Sequence, residues 1–133
     1  MTESFHYLTY PEAVAEHIEL MQLLEEVRYG VFDRTLIESA LARPQQAASY
    51  HNADLYEQAA TLCYGLIKNH PWIGGNKRTA THLTDHFLKR NGFEITCTTT
   101  ELIELVLAIE ADHWELPQIT AWIRLHTPSF QRH

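Results

Sequence analysis

The sequence predicts an all-α fold, and three kinds of signal support that prediction. Apolar residues recur at helical spacing in several segments. Thr-x-x-Glu sequences, which cap helices by reciprocal hydrogen bonds, precede three of these segments, and proline or Asn-Gly marks other helix boundaries. The chain has 133 residues, 45% of them hydrophobic and 20% charged, which is enough for one hydrophobic core and too apolar for a disordered chain. We therefore expect a single domain over residues 1–133, a bundle of about six helices.

The first two helices are predicted from their capping sequences. Thr9–Glu12 is a capping box, and the helix after it should end near Arg28–Gly30. Its inward stripe contains apolar residues and one histidine at helical spacing: Ala13, Val14, His17, Leu20, Met21 and Leu24. Thr35–Glu38 is a second capping box, and its helix should stop before Pro44, since a proline within a helix removes a hydrogen bond. The polar residues 43–52 are then predicted to be a loop.

Four further helices follow. The third should run from about Asp54 to Asn69, and the fourth from about Asn76 to Asn91, where Asn-Gly is a C-terminal signal. Residues 93–97 could form a short extended piece. A fifth helix follows the capping box Thr98–Glu101, and a sixth begins at Pro117.

The composition excludes several classes of function. The net charge is −7 with nine histidines counted as neutral, so we expect no direct DNA binding, which depends on clustered Lys and Arg. Cys63 and Cys97 lie far apart without metal-ligand spacing and are interpreted as reduced thiols. No apolar run is long enough to span a membrane, and the N-terminus lacks the features of a signal peptide. We expect a cytoplasmic protein.

The stretch "NHPWIGGNKRTA", residues 69–80, has the residues of an anion site. A glycine-rich loop that enters a helix presents free backbone N–H groups, and the helix dipole favours an anion there. Gly74 and Gly75 would let phosphate oxygens approach the main chain without a Cβ in the way. The side-chain amide of Asn76 could donate to the same anion, and Lys77–Arg78 would supply positive charge.

His70 faces this predicted anion site across a short loop. It is the nearby residue whose unperturbed pKa suits a general base near neutral pH. A base beside an anion site suits phosphoryl or nucleotidyl transfer, where positioning and charge stabilise the transition state. The residues alone leave a second interpretation equally open, because Gly-Gly-Asn-Lys before a helix is also an ordinary turn with polar caps.

The stretch "HPWIGGNKRTA" resembles the core motif of the Fic/Doc superfamily, which runs His-x-Phe-x-Asp/Glu-Gly-Asn-x-Arg. Lysine before the arginine, as in Lys77–Arg78, is similar to the Doc branch. The likeness extends to segments around the motif and covers the chain from about Phe5 to Trp122. It implies the helical Fic fold, which agrees with the prediction made from caps and periodicity.

The resemblance implies a role for each residue that matches the motif. His70 matches the base that takes the proton from a target hydroxyl. Gly75 and Asn76 match the anion-binding residues, and Arg78 matches the arginine that contacts phosphate. Trp72 stands where the family has a phenylalanine that packs the loop on the core.

Two departures from the Fic pattern favour the Doc type. Lys77 stands where Fic proteins have a second glycine, and its long side chain fills space that phosphates occupy in an AMP-transferring site. Thr81 stands where the Fic pattern has its second arginine. The resemblance therefore implies a kinase that passes the γ-phosphate of ATP, or of another nucleoside triphosphate, to a hydroxyl of a translation protein such as elongation factor Tu. The alternative is an AMP or other nucleotidyl transferase, which these two residues disfavour.

The resemblance also implies a partner. Doc-like toxins are encoded beside an antitoxin that blocks the site, and here no Glu is followed by Gly or Asn, so the self-inhibitory motif of some Fic proteins is missing. We expect a cognate antitoxin to act from another chain.

Gly74 replaces the Asp or Glu that binds Mg²⁺ in the family, so the motif contains no predicted metal ligand. Three interpretations stay open. Mg²⁺ could be held by a carboxylate from elsewhere, such as Asp85 or Glu57. The transfer could be independent of metal. The chain could also be a Fic/Doc-like binding domain that has lost catalysis.

Overall fold

The computed structural model of the protein describes residues 4–128, and the fold over this range is all-α. The predicted bundle of about six helices is confirmed. The helices in chain order are α1 (Tyr10–Leu23), α2 (Arg34–His51), α3 (Leu55–Asn69), α4 (Asn76–Arg90), α5 (Thr99–Glu110) and α6 (Leu116–Leu125).

Helix α3 lies at the centre of the bundle, packed mainly against α2, α4 and α6. Because neighbours surround it, most of its residues are buried: Leu55, Gln58, Ala59, Ala60, Leu62, Cys63, Gly65, Leu66 and Ile67. Gly65 lets α2 come close, since a Cβ there would lie 2.8 Å from Cδ of Arg43. The central helix ends at the loop that carries the candidate site.

The predicted caps are correct at two helices and wrong at a third. The capping boxes that begin at Thr9 and Thr98 are both present. The prediction of a capping box at Thr35–Glu38 was wrong, because α2 already begins at Arg34 and Thr35 lies within its first turn. Its N-cap is Asp33, which has extended backbone and accepts a hydrogen bond from the N–H of Leu36 at 3.1 Å.

Pro44 does not end α2, so the prediction of a stop there and of a loop at residues 43–52 was wrong. The helix continues through the proline to His51. Pro44 is buried on the same face as Ile37 and Ala40, against the rest of the core. Burial of that face outweighs the one helical hydrogen bond that a proline cannot make.

Helix α1 ends at Leu23, roughly one and a half to two turns before the predicted end near Arg28–Gly30. Glu25 adopts a left-handed conformation (φ 57°), and the N–H of Glu26 bonds to the carbonyl of Met21 at 2.9 Å. This is a Schellman turn built without the usual glycine. It frees the following residues to leave the bundle axis and pass along the loop between α3 and α4.

The segment 93–97 lies between α4 and α5 and forms no named strand in the described part of the chain. Its backbone is tied to the end of α6, where the N–H of Thr96 donates to the carbonyl of His126 at 2.7 Å. Both cysteines are free, and burial raises the pKa of the Cys63 thiol to about 12. Among residues 4–128 there is no helix whose length and apolar character would allow it to cross a membrane.

The N-cap assignment of α2 gives a direct test. Asp33→Ala should lower the free energy of unfolding by about 1 kcal/mol, because the N–H of Leu36 loses its acceptor. Thr35→Ala, at an exposed position within the first turn, should change it by less than about 0.5 kcal/mol. Urea unfolding of the two variants measures both values, and a larger loss for Thr35→Ala would contradict the assignment.

Candidate functional site

The loop between α3 and α4, residues 70–75, is held in place by the segment that connects α1 to α2. The two segments run antiparallel and are joined through their backbones. The contacts are the bridge between Val31 and Trp72, Ile73 N–H to Gly30 O (2.9 Å), and the N–H groups of Phe32 and Asp33 to Pro71 O (3.0 and 3.1 Å). The loop is therefore part of a fixed scaffold, and its shape depends on a segment about 40 residues earlier in the chain.

Asn76 fixes the loop from the helix side. Its Oδ1 accepts from the N–H of Trp72 at 2.9 Å, and its Nδ2 donates to the carbonyl of Trp72 at 3.0 Å. Both polar atoms of the amide that was predicted to donate to an anion are therefore engaged in closing this turn. Trp72 itself is 2% exposed and lies in the core, with no hydrogen-bond partner for its indole N–H among the described residues.

Gly74 and Gly75 allow the loop to pack closely against other parts of the protein. A Cβ on Gly75, whose φ is +67°, would lie 2.4 Å from Sδ of Met21, and a Cβ on Gly74 would lie 2.4 Å from the carbonyl oxygen of Arg28. The side of each glycine where a side chain would stand is thus filled by the protein. Because α1 and the segment after it pack on that side, an anion would have to approach the two glycines from another side, and its binding there stays a prediction.

The start of α4 nevertheless keeps the properties of an anion site. The first hydrogen bond of the helix runs from the N–H of Thr79 to the carbonyl of Gly75, at 2.9 Å. The three N–H groups before it, on residues 76–78, have no acceptor within the helix, and no side chain caps them. These groups and the dipole of α4 favour a negative charge at this end.

The two cations of the motif extend from this helix start into solvent. Lys77 Nζ lies 3.3 Å from Glu110 of α5, and Arg78 lies 3.5 Å from Glu26 of the segment after α1. The side chains of Lys77 and Arg78 are 53% and 62% exposed. Pairs this exposed contribute little to stability, so the cations can exchange their carboxylates for a phosphate at small cost.

A groove of about 350 Å³ runs from these cations along α5. It is lined by two cations, two threonines and four apolar side chains: Lys77, Arg78, Thr81, Thr99, Leu102, Ile103, Val106 and Leu107. The hydroxyl of Thr81 donates back to the carbonyls of its own helix. The groove therefore combines two positive charges with an apolar surface.

His70 stands at the other end of the loop. It follows the last residue of α3, is exposed, and has left-handed backbone (φ 46°, ψ 55°). Within residues 4–128 its side chain has no hydrogen bond, ion pair or ring contact, and it does not line the groove. Backbone of this kind at a non-glycine residue is uncommon and concentrates at functional sites. The role of His70 as a base stays a prediction.

His17 is a residue of the site that sequence reasoning missed. It is fully buried, its ring stacks on Trp72 at 4.1 Å between centroids, and its Nδ1 lies 2.7 Å from Oγ1 of Thr79. The N–H of Gly30 donates to its Nε2 at 3.0 Å. Because that amide can only donate, we assign the proton to Nδ1 and the ring is neutral. The signal in the sequence was a histidine within the apolar stripe of α1.

Burial lowers the pKa of His17 to about 4. The ring is thus neutral over the ordinary pH range, which is the state its two hydrogen bonds require.

Neither carboxylate proposed as a substitute metal ligand is near the loop. Glu57 forms a capping box with Asp54 at the start of α3, roughly 20 Å along the helix from His70. Asp85 accepts from the N–H of Ile95 and pairs with Lys89, in the second half of α4. The interpretation that either one replaces the metal ligand is therefore not supported, because both side chains make other contacts away from the loop.

The residues present do not fit the magnesium site of the family pattern. Position 74 has no carboxylate, and the Cβ that would carry one is blocked. No group of three His, Cys, Asp or Glu side chains in the described range could hold a metal. His82 and His86, which have metal-ligand spacing, instead both face Glu16 of α1 at 3.3 and 3.2 Å.

Comparison with known proteins found one matching family and a curated relative. A family model described as the Fic/DOC family matches residues 7–88, more than half of the chain. A curated relative, Toxin Doc of Mycolicibacterium smegmatis (strain ATCC 700084 / mc(2)155), is 39% identical over 69 residues. That alignment covers 49% of this chain and 52% of the relative, so the chain spans about half the length of the curated relative it matches.

The buried histidine predicts a pH-dependent stability. Between about pH 6.5 and pH 4 the unfolded chain protonates His17 while the folded protein keeps it neutral. The unfolded state then binds more protons, so the free energy of unfolding should fall as the pH is lowered through this window, by up to roughly 1.4 kcal/mol per pH unit. Above the window His17 adds no slope. Urea unfolding of the wild type and of His17→Gln over this range measures the effect, and identical slopes would contradict it.

Position 74 should not accept a side chain without loss of stability. Gly74→Ala and Gly74→Asp should each lower the free energy of unfolding by about 1–3 kcal/mol, because either Cβ meets the carbonyl oxygen of Arg28. The alanine variant separates the effect of Cβ from that of the carboxylate. Thermal unfolding gives both values, and an aspartate variant as stable as the wild type would show that the loop has room for the carboxylate.

Proposed function

The chain belongs to the Fic/Doc family, on its Doc branch, and from this premise we propose that it is a toxin that phosphorylates a protein hydroxyl. The phosphoryl donor is ATP or another nucleoside triphosphate. One observation carries the proposal: within the described residues, three N–H groups without a helical acceptor and two exposed cations lie at the start of α4, and His70, whose side chain has no partner there, stands six residues before Asn76. We therefore propose the loop 70–75 and the first turn of α4 as the active site.

The start of α4 would bind the phosphates of the donor. Phosphate oxygens accept hydrogen bonds from the N–H groups of residues 76–78, and the helix dipole adds to this attraction. Arg78 leaves Glu26 and binds phosphate through its fork of donors, while Lys77 leaves Glu110 and adds a mobile charge. Because no magnesium site fits, the charge that develops in the reaction rests on these groups.

His70 would act as the general base. It takes the proton of the target hydroxyl as that oxygen attacks the γ-phosphorus. The new bond joins the hydroxyl oxygen to phosphorus, the bond to the β–γ bridging oxygen breaks, and the nucleoside diphosphate leaves. His70 then returns its proton to solvent. Its exposure allows a protein-sized substrate to reach the ring.

The groove along α5 supports the expected antitoxin partner. Ile103 and Leu107, which line it, are each 52% exposed, so apolar side chains lie in the same groove as two cations. An amphipathic acidic helix suits such a groove, with apolar residues on Ile103 and Leu107 and carboxylates on Lys77 and Arg78. We propose that a cognate antitoxin binds here and competes with the nucleotide for the same charges.

A binding domain without catalysis is the second candidate, and Gly74 supports it. The position that carries the metal ligand in the family lies against Arg28 and cannot take a carboxylate without a shift of the loop. Such a domain would bind a nucleotide or a partner and transfer nothing. The nucleotidyl transferase remains a further alternative, which Lys77 and Thr81 disfavour.

The test is transfer of label from ATP carrying ³²P at either the α- or the γ-phosphate, in a bacterial extract and with purified elongation factor Tu. His70→Asn should lower the rate at least about 100-fold, since asparagine tolerates left-handed backbone but is no base. His51→Asn is the matched control, because His51 is also an exposed histidine at a helix end and lies outside the site. Its rate should equal that of the wild type.

Each outcome decides between the candidates. Label transferred only from the γ position, and lost in His70→Asn, supports the kinase. Label from the α position identifies a nucleotidyl transferase. If neither label is transferred, with or without Mg²⁺, the binding domain is the correct interpretation. Transfer that survives in His70→Asn contradicts the role of His70 as the base.

A further inference from the structure

We propose that His17 is a positioning residue that holds the loop 70–75 in register with the first turn of α4. This proposal rests on the proposed function, because the role given to His17 is to keep His70 and the anion-binding N–H groups in one fixed arrangement. His17 contacts neither substrate nor phosphate in this scheme; it acts through the residues that do.

His17 contacts three segments that meet at the site. It bonds to the N–H of Gly30, which belongs to the segment that pairs with the loop. It stacks on Trp72, two residues after His70, with the two rings at 15°. It bonds to Thr79, whose own N–H makes the first hydrogen bond of α4. One side chain from α1 therefore joins the connecting segment, the loop and the helix start.

Each of the two hydrogen bonds of His17 has a defined donor and acceptor. The amide of Gly30 is a donor, so Nε2 must be the acceptor and Nδ1 must donate to the hydroxyl of Thr79. A ring turned over would lose both bonds in a fully buried place, which is costly. The orientation of His17 is thus fixed, and it fixes its partners in turn.

The orientation of the Trp72 indole depends on the His17 ring, because no hydrogen bond to the indole N–H fixes it. Its indole N–H is buried and has no partner in the described part of the chain, so no polar contact orients the ring. Packing and the stack on His17 hold it. Movement of Trp72 would move the backbone on both sides of it, which includes His70 and the turn closed by Asn76.

A second histidine–tryptophan pair gives a matched control. His126, which follows the last residue of α6, stacks on Trp122 at the same 4.1 Å and bonds through Nδ1 to a backbone carbonyl at 2.8 Å. Within residues 4–128 its ring has no hydrogen bond, ion pair or ring contact with the loop 70–75 or with α4. Removal of its polar groups tests the loss of a stacked histidine away from the site.

The first measurement is amide hydrogen exchange by NMR. In His17→Phe the aromatic stack can persist while both hydrogen bonds are lost. The N–H groups of Phe32, Asp33 and Ile73, which join the segment to the loop, should then exchange about tenfold faster or more, while buried amides of α3 keep their wild-type rates. His17→Gln, whose amide offers both a donor and an acceptor, should restore part of the protection. His126→Phe should leave these three amides unchanged.

The second measurement is the kinetics of transfer to the protein substrate. His17→Phe should lower kcat with little change in KM for the nucleotide, because the binding groups remain but their arrangement with His70 is loosened. His17→Gln should recover part of kcat, and His126→Phe should retain all of it. If the phenylalanine variant does not fold, His17→Gln carries the same comparison with the wild type.

The results separate this inference from the proposed function. A wild-type protein without transfer contradicts the proposed function, while the exchange rates still decide whether His17 positions the loop. Unchanged exchange of the three amides in both His17 variants overturns the inference. So does a uniform increase at every amide including those of α3, since that pattern reports general destabilisation.

Discussion

The arrangement of the site depends on the contacts that the neutral imidazole of His17 makes. The ring lies under the loop 70–75, where it accepts from Gly30, donates to Thr79 and stacks on Trp72. A buried polar group must be paired, and here the pairing is possible with only one tautomer and one ring orientation. Burial keeps the ring neutral by lowering its pKa. The polar requirement of one side chain thus specifies how three segments meet.

The same region shows how the chain differs from the pattern of its family. The two glycines at positions 74 and 75 lie against the protein itself, Arg28 in one case and Met21 in the other. A carboxylate at position 74 would need the α1–α2 connection to move, so the missing metal ligand and the path of that segment belong together. The charges that remain are those of Lys77, Arg78 and the start of α4, and the proposed chemistry rests on them and on His70.

Much of the fold could be predicted because the relevant signals are local. Capping boxes at Thr9 and Thr98, and the glycine at position 92, report hydrogen bonds between residues a few positions apart. The errors arose where packing overrides a local preference. Pro44 stays within α2 because its face is buried, and Glu25 ends α1 in a conformation that glycine usually takes. By local rules Pro44 looks like a helix stop, and Glu25 looks like a residue of a helix interior.

The sequence by itself determined the all-helical class, the position of the loop and the identity of the charged residues at the start of α4. It did so because helix periodicity, caps and a contiguous motif are written within short stretches of chain. Only the tertiary structure decided what those residues contact. The Asn76 amide closes the turn, Gly74 packs against Arg28 and Gly75 against Met21. The ring of His17 stacks on that of Trp72. These are contacts between residues tens of positions apart. They exist because α1 and its connection to α2 pack over α4, which no short stretch of the sequence specifies.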